Sequence, residues 1–100
     1  KNDKAINDFK KVIELNSADA TAYFNLGCSL SELGQLKEAM IAYNHAINHK
    51  SNYANAYFNR GKLKLNKELY KEALEDFNFC IQYNPSDADA YAKRALIRYK

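Results

Sequence analysis

The sequence predicts an all-α fold built of antiparallel helix pairs in tandem. Glycine and proline, the residues that interrupt helices, number only three and one in 100 residues, and long side chains that tolerate a helix are plentiful. A motif also recurs at a fixed spacing. Ala20-Thr21-Ala22-Tyr23-Phe24-Asn25-Leu26-Gly27 returns 34 residues later as Ala54-Asn55-Ala56-Tyr57-Phe58-Asn59-Arg60-Gly61, and again, more weakly, as Ala88-Asp89-Ala90-Tyr91-Ala92-Lys93-Arg94-Ala95. A second element keeps the same offset, running from Ala5 to Phe9, from Ala39 to Tyr43 and from Ala73 to Phe77. A period of this length, unbroken by insertions, marks an array of two-helix units.

The elements follow in order. Residues 1–19 hold the second helix of a partial repeat, from about Asp3 to Leu15. Two full repeats span 20–53 and 54–87, and residues 88–100 hold the first helix of another partial repeat, from about Ala88 to Lys100. Asp19 and Asp87 stand just before first helices, where a carboxylate accepts from unsatisfied backbone N–H groups. Gly34 falls between the two helices of its repeat, where a left-handed residue is wanted. The next repeat has Asn66-Lys67-Glu68 there, so Asn66 or Lys67 is expected to carry the turn at some cost. The sequence opens at Lys1 rather than Met and its ends cut across repeats, so it reads as a piece of a longer protein.

With Ala20 and Ala54 as position 1, several positions keep their character in every copy. Position 4 is Tyr23, Tyr57 and Tyr91, and position 8 is Gly27, Gly61 and Ala95. Position 20 is Ala5, Ala39 and Ala73; position 24 is Phe9, Tyr43 and Phe77; position 27 is Val12, Ala46 and Cys80. A helix-ending proline at position 32 is present only as Pro85, with Ser17 and Ser51 in the other copies. Along its whole length this pattern resembles the tetratricopeptide repeat (TPR) family. The resemblance implies a right-handed superhelical solenoid whose first helices (helix A) line a concave face and whose second helices (helix B) pack behind them. The small residues at positions 8 and 20 suit a close helix crossing, and the aromatics at positions 4 and 24 suit the spaces between successive helices.

Composition narrows the function. Hydrophobic residues make up 47% and charged residues 27%, with a net charge of +3. The charges are interspersed, without the basic stripe of a nucleic-acid binder, and no apolar run reaches the length of a membrane span. Cys28 and Cys80 lack CxxC or Cys/His spacing, which reads as reduced thiols in a cytoplasmic protein. No cofactor motif is present.

Residues that could carry chemistry have simpler readings. His45 and His49 lie four apart on one helix face, a zinc-clasping spacing. No third ligand stands near them in sequence, so they are read as solvated and no metal is expected. Cys80 occupies a small packing position, and Cys28 at position 9 lacks a partnering base. Lys62, Lys64, Lys67 and Lys71 read as a solvated face. The chain is therefore read as a non-enzyme.

The distinctive surface is the repeated pair Phe24-Asn25 and Phe58-Asn59 at positions 5 and 6, which face the inner groove in the TPR fold. Asparagine ladders offer both donor and acceptor to an extended peptide backbone, and aromatics add apolar contact. This is similar to the asparagine-lined groove of the TPR superhelix in O-linked N-acetylglucosamine transferase. The carboxylate clamp for acidic Hsp70 and Hsp90 C-termini fits less well. Phe24, Cys28 and Asp89 depart from it, Asn59 matches in type, and Lys93 matches only in charge. The expected site is thus a peptide groove of Phe24, Asn25, Cys28, Phe58, Asn59, Lys62 and Lys93. The function implied is a scaffold that binds a protein or extended peptide, with no nucleic acid or membrane partner. Two other readings are a targeting or regulatory portion of a larger enzyme, such as a transferase or phosphatase, and a self-associating structural array.

Two structural expectations complete the reading. Leu26 and Ala42 at positions 7 and 23 become Arg60 and Asp76 one repeat later, a paired change that predicts a salt bridge. The orphan outer helices, with Tyr91 and Ala95 on one and Ala5 and Phe9 on the other, are complementary and predict head-to-tail self-association.

Overall fold

The computed structural model describes residues 2–99. Six helices run in order: α1 (Asn2–Leu15), α2 (Ala20–Glu32), α3 (Leu36–His49), α4 (Ala54–Asn66), α5 (Tyr70–Tyr83) and α6 (Ala88–Tyr99). Among the described residues there is no strand. The expected outer limits at residues 1 and 100 lie outside the described residues. Two compact units result, one ending at Ser51 and one starting at Asn52. In the first, α2 packs against α1 and α3; in the second, α5 packs against α4 and α6.

Two of the three helix-A starts carry the expected cap. Asp19 Oδ1 accepts from the Ala22 N–H at 3.0 Å, and Asp87 Oδ1 accepts from the Ala90 N–H at 3.2 Å. At α4 the equivalent residue is Tyr53, whose side chain makes no cap; its carbonyl accepts from the Ala56 and Tyr57 N–H groups.

The turn between α2 and α3 is made by Gly34, with φ +82°. Its N–H bonds the Ser31 carbonyl, and the Gln35 N–H reaches the Leu30 carbonyl. The turn between α4 and α5 repeats both bonds 34 residues on, from Glu68 to Leu65 and from Leu69 to Lys64. Here the sequence expectation is corrected. Glu68, not Asn66 or Lys67, takes the left-handed conformation, with φ +61°. Hydrogen-bond register fixes the turn position, and a non-glycine residue accepts the steric cost of roughly 1–2 kcal/mol there.

Each A/B helix pair closes over its glycine. Tyr43 is buried against Gly27, and Phe77 against Gly61. Ala39 and Ala73 at position 20, and Ala46 and Cys80 at position 27, have no exposed surface. Small residues there let the helices approach, and the ring fills the space that remains. Tyr23 stacks on His45 and His49 with ring centroids 4.9 and 5.5 Å apart. Tyr57 makes the same contacts with Phe79 and Tyr83, at 5.0 and 5.9 Å. The two histidines therefore occupy aromatic packing positions of the repeat.

The expected Arg60–Asp76 bridge is present and two-pronged. Arg60 Nε donates to Asp76 Oδ2 at 2.9 Å and Nη2 donates to Oδ1 at 2.8 Å. Lys64 Nζ joins Oδ2 at 3.1 Å. The sequence reading placed Lys64 on a solvated face; instead its side chain is 15% exposed and completes the ionic cluster. The Asp76 side chain is 2% exposed, so this is an interior network with far more at stake than a surface pair.

Candidate peptide-binding surface

Position 5 of each helix A lays an aromatic ring against the position 24 ring of its partner helix. In the first unit the Phe24 and Tyr43 rings are 5.9 Å apart, tilted by 47°. In the second unit Phe58 meets Phe77 edge-on at 5.6 Å. Phe58 also packs against the buried cluster of Ala73, Phe77 and Ile97. Sequence reasoning placed these phenylalanines on the inner groove; the structure gives each a packing contact as well. Each is half-buried, with one side anchored in its unit and the rest at the surface.

Polar groups border both rings. Asn25 and Asn59 are half-buried beside Phe24 and Phe58. Cys28 is also half-buried, and the Tyr43 hydroxyl donates to its sulfur at 3.6 Å. In the second unit Lys62 Nζ sits 5.1 Å from the Phe58 ring centroid, a cation–π contact that keeps the ammonium beside the ring. Lys93 is half-buried on α6. The first unit thus groups Phe24, Asn25 and Cys28 on α2, and the second places Phe58, Asn59 and Lys62 on α4 with Lys93 on α6.

Cys80 is placed for structure. It is buried, and its thiol lies 3.5 Å from Asp87 Oδ2 while Oδ1 of the same carboxylate caps α6. Burial, reinforced by the hydrogen bond and negative charge of Asp87, pushes the thiol pKa up to about 12. A thiol so held is a poor nucleophile. Among the described residues no group of three His, Cys, Asp or Glu side chains could hold a metal ion, and no helix is long and apolar enough to cross a membrane.

Family comparison gives this geometry its context. A model described as TPR repeat matches residues 1–33 and 29–68, and one described as Tetratricopeptide repeat matches 54–87. The chain belongs to the tetratricopeptide repeat family. Its all-α TPR solenoid fold is shared with solved structures. The TPR domain of Arabidopsis OM64 is 28% identical, with a TM-score of 0.93 over 98% of this chain and 81% of that one. MamA is 26% identical, with a TM-score of 0.92 over 98% of this chain. YrrB, described as a TPR protein with an unusual peptide-binding site, is 31% identical, with a TM-score of 0.85 over 91% of this chain. This TPR chain spans 57% of the MamA chain and 47% of the YrrB chain. The comparison with curated proteins returned no match.

Proposed function

We propose that this TPR array is a scaffold that binds an extended segment of a partner protein through its helix-A surfaces. The observation that carries the reading is the phased recurrence of a half-exposed Phe-Asn pair on α2 and α4, with each ring anchored against a buried aromatic. An anchored ring gives apolar contact without losing much side-chain freedom on binding. Each asparagine amide carries two donors and an acceptor, the complement of a peptide backbone's own groups. Phe24, Asn25 and Cys28 contact one stretch of the segment, and Phe58, Asn59, Lys62 and Lys93 another. The two lysines favour an acidic residue in the second stretch. YrrB, a relative with a peptide-binding site, supports a peptide ligand for this fold.

The test is selection from a random peptide display library, followed by amide chemical-shift mapping of the winning peptide on the labelled chain. The expected footprint centres on α2 and α4 around Phe24, Asn25, Phe58 and Asn59, and selected peptides carry at least one acidic residue. A footprint confined to α3 and α5 would overturn the reading.

A further inference from the structure

We propose that the Arg60–Lys64–Asp76 cluster is a pairing key: it makes α4 accept α5 and refuse α3, and makes α5 refuse α2, so that each full repeat closes on its own two helices. The problem it answers is the likeness of the two helix pairs. Gly27 and Gly61 receive the Tyr43 and Phe77 rings at the same place, where an added Cβ would stand 2.6 and 3.0 Å from the ring. Ala39 and Ala73, and Ala46 and Cys80, are fully buried at matching positions. Tyr23 and Tyr57 each rest on two rings of the following helix. Exchanging helix B between the pairs would lose the Tyr43 hydroxyl bond to Cys28 and keep a small residue or a ring at every one of these places. Neighbouring repeats so alike are prone to misassembly and domain swapping.

Positions 7, 11 and 23 are where the pairs differ. In α2 and α3 they are Leu26, Leu30 and Ala42, all buried. In α4 and α5 they are Arg60, Lys64 and Asp76. The Asp76 side chain is 2% exposed and both its oxygens are taken, Oδ1 by Arg60 Nη2 and Oδ2 by Arg60 Nε and Lys64 Nζ. Set on α2, α5 would bury this carboxylate against Leu26 and Leu30. Set on α4, α3 would offer the methyl of Ala42 to two cations that are 18% and 15% exposed.

Each crossed pair therefore leaves a desolvated charge without its partner. One such charge shifts the ratio of correct to crossed pairing by roughly a hundredfold or more. The cluster acts through the pairings it excludes, not through what it adds to the correct one. Leucines and an alanine could hold α4 on α5 as firmly as the charges do, but could not tell α5 from α3. The choice the key settles is between the two full repeats, since α6 carries Arg94 and Arg98 and α1 carries Asp8, the same signs as α4 and α5.

Joint refolding of isotope-heavy and light chains tests this. Equal amounts are unfolded together in denaturant, refolded at high concentration and then diluted. Heavy–light dimers that survive dilution are counted by native mass spectrometry, and chains refolded apart before mixing give the background from ordinary association. Crossing inside one chain would show as a second set of amide resonances in the monomer. Two variants remove the difference between the repeats from opposite sides. Arg60→Leu/Lys64→Leu/Asp76→Ala erases the key, and Leu26→Arg/Leu30→Lys/Ala42→Asp copies it into the first repeat. Wild type is expected to give few such dimers and one set of resonances. Each variant, once shown by circular dichroism to be helical, should give about tenfold more crossed species or above. The copied key is the decisive arm, because a cluster that only stabilised its helix pair would leave that variant as faithful as wild type. If the copied key prevents folding, the erased key decides. A folded variant as free of crossed species as wild type overturns the proposal, and so does a wild type that crosses as readily as the variants.

Discussion

A methyl group added at Gly27 would stand 2.6 Å from Cε1 of Tyr43, a ring with almost no exposed surface. At Gly61 the corresponding distance to Phe77 is 3.0 Å. Alanine gains about 1 kcal/mol over glycine in a helix interior, while overpacking costs ~1–3 kcal/mol. Gly27→Ala is therefore expected to destabilise by about 1–2 kcal/mol and Gly61→Ala to lie near neutral, as denaturant titration of each will measure. Cys80 gives a second test at this scale. Its pKa is raised from 9.0 to about 12 because burial, then Asp87, disfavours the thiolate. The unfolded thiol loses its proton first, so above pH 9 the unfolded state holds fewer protons than the native one. The stabilisation is complete below about pH 9 and is lost as pH rises toward 12. Burial also raises the Tyr57 pKa and adds to the same alkaline loss. Cys80→Ala should melt with a shallower decline across that window than wild type, and a thiol reagent should modify native Cys28 well before Cys80.

Between α4 and α5 the chain keeps three charges where α2 and α3 place Leu26, Leu30 and Ala42, all buried. Taking Asp76 away leaves Arg60 and Lys64 partly buried without their carboxylate, and Asp76→Ala is expected to cost about 3 kcal/mol or more. The triple variant Arg60→Leu/Lys64→Leu/Asp76→Ala copies the first unit, and thermal melting should place it at or above wild type. A triple variant as unstable as Asp76→Ala would show that the two units are packed by different rules. The salt bridge was legible in the sequence because Arg60 and Asp76 change together against a repeat that has neither. Lys64 was missed as its third member because it falls in a run with Lys62, Lys67 and Lys71 that reads as a solvated face. Glu68 was missed at the turn because residue preference was weighed without the hydrogen-bond register that Gly34 had already set.

The repeat period made the fold of the whole chain readable, since each unit needs the same small residues and rings at the same places. The candidate surface was less readable. The family pattern put Phe24 and Phe58 on the inner groove, but sequence does not show how far a ring can lean back onto Tyr43 or Phe77 while keeping one side exposed. What the repeats preserve beyond packing is the asparagine beside each ring, and the central claim rests on those amides reading a bound backbone. The most direct measurement is calorimetric titration, in dilute solution, of a selected peptide into wild type and into Asn25→Ala/Asn59→Ala, with the melting curve of each. Two lost hydrogen bonds of about 1 kcal/mol apiece correspond to a roughly thirtyfold weaker affinity, with melting little changed. Unchanged affinity in a folded double variant would contradict the account.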